Sequence, residues 1–292
     1  MKNILLATDL GVHSDRAMER ALKIAKEQKA QLHIVHIAPD YTGAQSKKNP
    51  LNLLKKTEDL ILTYLGEYKD FEDVDTKITV KQGGEVFFEI LEVAYAHKAD
   101  LIVAGMHGKN RFRDLFIGTT IERIIRKGIT PVLLVKDKPS GSYQSVLAGV
   151  DFAQGSRNAM RLAMGIAPEA VFHAVHMFSL PVTYFEADFY IEVQAATEKS
   201  QRKMMDAFVN TERSYFEKKY ASLAEKISGE VIEGAVIGAL IEKAKGHKAD
   251  LLTMGTHSQV GFRSKLGGTA GGILSDPPCD VLVASEKFHD EF

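Results

Sequence analysis

A repeat running the whole length of the chain constrains its fold more than any other feature. Leu5 to Ala25 lies over Leu147 to Ala167 at one offset without gaps. Leu5/Leu147, Asp9/Asp151, Ser14/Ser156, Ala17/Ala159, Met18/Met160, Ala21/Ala163, Ile24/Ile166 and Ala25/Ala167 coincide. His33 and His36 return as His173 and His176, and His97-Lys-Ala-Asp-Leu101 returns as His247-Lys-Ala-Asp-Leu251, followed by Gly105/Gly255 and His107/His257. The blocks keep their order, so a whole domain is duplicated. At about 145 residues, each unit is too long for a solenoid repeat and long enough to fold alone. Lys138-Pro-Ser-Gly-Ser142 is a polar Pro/Gly/Ser joint. The expected division is a first domain over 1–137, a linker over 138–143 and a second domain over 144–292.

Within the first unit, short β-rich runs alternate with helical patterns. Asn3–Thr8, Gln31–Ile37, Lys77–Val80, Asp100–Ala104 and Pro131–Val135 read as strands. Asp15–Gln28, capped by Ser14, Leu51–Tyr68, a segment opened by Gly84, and Thr119–Lys127 read as helices. This alternation implies crossover connections and a parallel sheet covered on both faces. The second unit repeats the order, with its second helix stretched across Ile191–Lys226. Two tandem doubly wound α/β domains are the expected architecture.

Composition narrows the partners. Lys and Arg number 37 against 38 Asp and Glu, for a net charge of −1. No excess positive field exists to attract nucleic acid or an anionic membrane. The single cysteine, Cys279, forms no internal disulfide and reads as a buried small hydrophobe. The apolar run near the start stops after four residues, and no later stretch reaches the ~18 needed to span a membrane. A cytoplasmic protein without membrane insertion is expected.

In doubly wound sheets, ligands sit beyond the carboxyl ends of the strands, where the strand order switches. Three features collect there. Gly105-Met-His-Gly108 is separated by nine residues from Gly118-Thr119-Thr120. Glycines after a strand let backbone approach a ligand, and a helix N-terminus with free N–H groups favours an anion. His107 lies between the glycines, and Lys109, Arg111 and Arg113 add charge for phosphates. The spacing is neither the dinucleotide fingerprint nor a Walker A loop, and an ordinary strand-to-helix turn uses the same glycines. Thr8-Asp9 places a carboxylate for ribose hydroxyls or a phosphate-bound metal, with a plain helix-cap aspartate as the alternative. Positions three apart in a strand face opposite sides, so His33 and His36 cannot chelate one metal. His33 reads as packing, while His36 reaches the cleft rim and Ile37 is placed to pack on a base.

These residues resemble the universal stress protein family, tandem type, over nearly the whole chain. The resemblance rests on Thr8-Asp9, Val35-His36-Ile37, the Asp100-Leu-Ile-Val strand, Gly105-Met-His-Gly108…Gly118-Thr119 and Pro131-Val-Leu-Leu-Val135. It implies an adenine-nucleotide α-hydrolase-like fold that binds ATP, with Mg²⁺ as a companion of the nucleotide. The Gly105–Gly108 and Gly118–Thr120 amides would then meet phosphates, with Asp9 near ribose and metal and Ile37 beside adenine. It further implies an intramolecular domain pair about a pseudo-two-fold axis, Val132–Val135 against Val281–Val283, and leaves room for a homodimer. A cytoplasmic stress-response role is the implied setting.

The second domain departs from this pattern. Gly255-Thr-His-Ser258, nine residues, then Gly268-Thr269 keeps the spacing but puts serine where the second glycine belongs. A serine is strained there if that position needs φ > 0. The following Gly-Gly-Thr-Ala-Gly-Gly argues against helix before Ile273, because each interior glycine costs about 1 kcal/mol relative to alanine. Asp151, Arg263 and Lys265 remain. If the position needs only a small side chain, Ser258 serves; the first domain is therefore the favoured nucleotide site, and nucleotide, another ligand or none stays open for the second cleft. The aromatic stretch Phe178–Ile191 reads first as core or interface, with a cover for that cleft or an apolar pocket as the alternatives.

Three functions compete on these residues. A regulatory nucleotide-binding protein leads, because the phosphate cradle lacks an obvious nucleophile or dedicated base. A slow ATPase would need His107 or Asp9 to orient water. A scaffold or apolar-ligand carrier would leave the glycine loop vestigial.

Overall fold

The computed structural model describes residues 1–39, 50–106, 119–180, 187–217, 220, 224–256 and 268–288. The chain divides into two compact units between Ser142 and Tyr143. The first contains β1 (Asn3–Thr8), α1 (Val12–Gln28), β2 (Gln31–Ala38), α2 (Pro50–Leu65), β3 (Thr76–Gln82), α3 (Val86–Ala96), β4 (Leu101–Gly105), α4 (Thr119–Lys127) and β5 (Val132–Val135). The second contains β6 (Ser145–Gly149), α5 (Gln154–Ile166), β7 (Val171–Phe178), α6 (Ala187–Glu217), β8 (Ile227–Glu233), α7 (Val236–Gly246), β9 (Leu251–Gly255), α8 (Gly268–Ser275) and β10 (Asp280–Ala284).

All strand pairs within a unit are parallel. The first unit has the order β3-β2-β1-β4-β5. The second has β8-β7-β6-β9-β10. The duplication extends to register, since Leu5 sits opposite His33 and Leu147 opposite His173. Parallel strands covered on both faces read as continuous apolar runs. Ile4, Leu5, Leu6, Leu101, Ile102 and Val103 are accordingly buried. Each crossover helix turns one stripe inward, as Ala17, Ala21, Ile24 and Ala25 do in α1.

Several boundaries differ from the sequence expectation. Helix α1 starts at Val12, with Gly11 at the N-cap and no side-chain cap bond. Ser14 therefore lies inside the helix and does not cap it. Helix α2 ends at Leu65, and α6 spans Ala187–Glu217, starting before Ile191 and ending short of Lys226. The largest correction is α8, which is helical from Gly268 despite its glycines. Ala270, Ile273 and Leu274 are buried, and this packing outweighs weak propensity. A Cβ on Gly272 would run into the Ile237 side chain of α7, so the glycine permits close helix contact. Phe178 is buried as expected of core, whereas Phe189 is half exposed; Tyr184 and Phe185 lie outside the described residues. Cys279 is buried just before β10.

The repeated His-Lys-Ala-Asp-Leu block has a structural explanation. Its aspartate fastens the start of each central strand. Asp100 Oδ2 accepts from the Lys2 and Asn3 amides at 2.5 and 2.9 Å. Asp250 accepts from the Gln144 and Ser145 amides at 2.7 and 3.1 Å. Its lysine, Lys98 or Lys248, takes a left-handed conformation after the helix, with φ of 50° and 49°.

Helix α6 brings a charged group into the second unit. Glu212 is fully buried and accepts from two arginines of α5. Arg161 donates to it through Nε at 2.7 Å and Nη2 at 3.2 Å, and Arg157 donates through Nη1. The guanidinium carbons lie 4.5 and 3.9 Å from the Phe208 and Tyr215 ring centres. The equivalent first-unit residues, Asp15 and Glu19, are acidic, so this network is particular to the second unit. Removing one partner strands the others' charge, so Glu212→Ala should lower stability by about 3–5 kcal/mol in urea denaturation. Glu198→Ala breaks only an exposed ion pair with Arg202 and should change it by about 0.5 kcal/mol or less.

Candidate functional site

In each unit the strand order switches beside the first strand, between β1 and β4 or between β6 and β9. Ala7 pairs with Ala104 and Thr8 with His36, so Thr8, Asp9, Ile37 and Gly105 gather at the carboxyl ends of three neighbouring strands. Thr120 stands in the first turn of α4. His107, Gly108, Lys109, Arg111, Arg113 and Gly118 lie outside the described residues, as does the Thr119 side chain.

The chain leaves β1 through a left-handed residue, Leu10, at φ 61°. Thr8 Oγ1 accepts from the Leu10 amide at 3.0 Å. Asp9 Oδ1 accepts from the Gly11 amide at 2.9 Å and from Ser14 Oγ at 2.6 Å. Asp9 thus serves the start of α1, as the plain turn reading holds, and these bonds fix its carboxylate at the strand end. The second unit repeats the device. Phe152 has φ 61°, and Asp151 Oδ1 accepts from the Ala153 amide at 3.1 Å and Ser156 Oγ at 2.6 Å.

The two histidines of each pair separate as their spacing predicts. His36 Nδ1 donates to the Thr8 carbonyl at 2.9 Å, and His176 Nδ1 to the Val150 carbonyl at 2.7 Å. Each ties the end of the second strand to the end of the first, a role the sequence reading missed. The only advance signal was their recurrence. His33 is buried, 2.8 Å through Nε2 from Thr79 Oγ1, with its ring centre 3.7 Å from that of His97. Its Nδ1 is buried without a hydrogen-bond partner among the described residues. Burial, helped by His97 and Lys77, holds its pKa down to about 4. His173 stacks on His247 at 4.0 Å and is likewise lowered by burial.

The second unit shows how these positions combine. A pocket of about 160 Å³ is lined by residues that include Val150, Asp151, Met177, Gly255, Gly268, Thr269 and Ala270. These are the counterparts of Thr8, Asp9, Ile37, Gly105, Gly118, Thr119 and Thr120. Residues drawn from four separate segments of the repeat therefore surround one space. One glycine has a simpler explanation. A Cβ on Gly255 would lie 3.0 Å from the Ser156 amide, so packing against α5 accounts for it without a ligand. Ser258, Arg263 and Lys265 lie outside the described residues. Among the described residues, no group of three or more His, Cys, Asp or Glu is arranged to hold a metal ion.

Residues 1–136 and 142–285 match the sequence profile of the universal stress protein family. The chain belongs to that family. A Staphylococcus aureus (strain USA300) protein assigned to the universal stress proteins is 27% identical over 141 residues, covering 46% of this chain and 84% of its own length. A universal stress protein from Archaeoglobus fulgidus has a TM-score of 0.68 at 15% identity, covering 97% of this chain and 98% of that one. A functionally unknown protein from Pseudomonas aeruginosa PAO1 has a TM-score of 0.69 at 17% identity, covering 98% and 93%. At these identities the structural likenesses show the fold alone. This universal stress protein thus carries two copies of a domain that its Staphylococcus relative matches once. Membership in the family supports a role in the stress response. Among the described residues, no helix is long and apolar enough to cross a membrane.

Leu10 is 41% exposed, so its side chain has little burial to lose, while its left-handed backbone costs a non-glycine residue about 1–2 kcal/mol. Leu10→Gly should therefore leave the urea midpoint unchanged or raise it, whereas Leu5→Ala should lower stability by about 2–5 kcal/mol. His33 is neutral in the fold, and its folded pKa lies below the unfolded value near 6.5. Its contribution is fully present above that unfolded value and is lost as pH falls through about 4. Melting temperature should drop across this window, and His33→Asn should flatten the drop; an equal drop in the variant would remove the pair as its source.

Proposed function

We propose that the first domain binds ATP and that occupancy regulates this stress-response protein in the cytoplasm. One observation carries the reading: the equivalents of Thr8, Asp9, Ile37, Gly105, Gly118, Thr119 and Thr120 surround a single pocket in the second domain. The first-domain residues suit an adenine nucleotide. Asp9 is a fixed carboxylate able to accept from ribose hydroxyls, and Ile37 offers an apolar surface to a base. The amides at the start of α4, with Thr119 and Thr120, suit a phosphate, as do Gly105, Gly108 and Gly118 in the sequence. His107, Lys109 and Arg113 are assigned to the phosphate chain, and Mg²⁺ to phosphate oxygens and water beside Asp9.

When bound, ATP supplies a polyphosphate charge at the cleft. The chain's part is to orient and hold it. Asp9 is held by the Gly11 amide and the Ser14 hydroxyl, so the chain itself orients that carboxylate. A regulator, rather than a catalyst, is the reading that needs no assigned nucleophile.

Native mass spectrometry of the freshly purified full chain, followed by denaturing analysis of the released molecule, tests this. One equivalent of ATP or ADP per chain is expected. Gly108→Val should weaken binding by ~10-fold or more, with the thermal unfolding midpoint compared after nucleotide has been removed from both proteins and found unchanged. Absence of nucleotide even after addition of millimolar Mg-ATP would overturn the proposal.

A further inference from the structure

The second-domain pocket differs from its first-domain counterpart where its chemistry is decided. Val150 stands in place of Thr8 and Ala270 in place of Thr120, so two hydroxyls give way to hydrocarbon. Met254 stands in place of Ala104 and Met177 in place of Ile37, which brings two polarisable thioethers to the wall, while Thr256 stands in place of Met106 and adds one hydroxyl. Leu240 and Val236 extend this apolar wall from α7. Asp151 is the one carboxylate among the described lining residues, which include no lysine or arginine. Its orientation is set by Ala153 and Ser156. Beside it, His176 donates Nδ1–H to a backbone carbonyl, and its ring lies tilted against Phe152 at 4.4 Å between ring centres.

Size points the same way. The pocket measures about 160 Å³. A protein cavity of ~150 Å³ accepts benzene, whereas sites for drug-sized ligands begin near ~300 Å³. Methionine sulfur makes favourable contacts with aromatic rings and adapts to their shape. A carboxylate at the edge of an apolar space accepts one donor and thereby orients the ligand.

We infer that the second domain binds a benzene-sized apolar molecule bearing one hydrogen-bond donor, instead of a nucleotide. Its ring lies against Met177, Leu240 and Met254, and its donor meets the Asp151 carboxylate. The two domains then answer to different ligands, and this inference stands independently of ATP binding by the first.

The test uses the full chain with ¹³C-labelled methionine methyl groups, assigned through single Met→Leu variants. It is titrated separately with benzylamine, benzyl alcohol and ATP. Met177 and Met254 report on this pocket, and Met106, which follows β4, reports on the first-domain cleft. At least one benzyl probe should shift Met177 and Met254 saturably while leaving Met106 in place. ATP should leave Met177 and Met254 unshifted. Val236→Phe, which fills the space, should weaken the probe by ~10-fold or more. Asp151→Asn keeps the shape and should weaken benzylamine more than benzyl alcohol. The inference fails if neither probe saturates, if both variants bind as the parent does, or if ATP displaces the probe. An ATP shift at Met106 bears on the first-domain proposal alone, so the two can fail separately.

Discussion

The pairing of each domain's first strand with neighbours on both sides is the interaction on which the clefts depend. β1 is hydrogen-bonded to β2 on one side and β4 on the other, and β6 likewise to β7 and β9. The chain leaves successive strands in opposite directions at this point, so the loops diverge and leave space at the carboxyl edge. Asp9 and Gly105 become neighbours only through that pairing. The strand's other end is held as well, because Asp100 and Asp250 accept the first amides of β1 and β6. His36 and His176 complete the fastening at the cleft end.

Beside this frame lies a local strain that both domains keep. Leu10 and Phe152 adopt the left-handed conformation unfavourable to large side chains. In the first domain hydrogen bonds on either side hold it, and in the second the bond to Asp151 remains. Thr8 Oγ1 holds the Leu10 amide, and Asp9 or Asp151 holds the amide two residues on. The turn directs the chain into α1 or α5 while presenting the carboxylate at the strand end. Such strain is characteristic of sites where geometry serves a ligand. The two copies then diverge around a common backbone. The first has Thr8 and Thr120 where the second has Val150 and Ala270, and the second adds Met177, Met254, a tilted Phe152–His176 ring contact and a helix anchored through buried Glu212.

Much of the fold was legible because the relevant signals are local. Apolar runs such as Leu101–Ala104 announce strands buried on both faces, and the stripe Ala17, Ala21, Ile24 and Ala25 announces a helix against a sheet. The gathering of Thr8, Asp9, Ile37 and Gly105 at one sheet edge was legible because each closes or follows a strand of a parallel sheet. The start of α1 was not. Ser14 looks like a cap in sequence, yet its hydroxyl goes to Asp9 and the helix begins earlier. Helix α8 was misread because glycine propensity is a local quantity, whereas the contact between Gly272 and Ile237 is not.

The sequence by itself determined the duplication, the order of elements and the sheet edge that carries the cleft. Periodicity and repeated spacing survive in one dimension, and they sufficed for those. Tertiary structure alone decided what the matched residues do. It made Asp100 a fastening for β1, put His33 against His97, and assigned Gly255 to close packing on α5. It also turned substitutions scattered along the second domain into one apolar pocket with a carboxylate at its edge. The physical reason is that hydrogen-bond partners, burial and cavity walls come from segments far apart in the chain, which only the packed sheet and helices bring within contact distance.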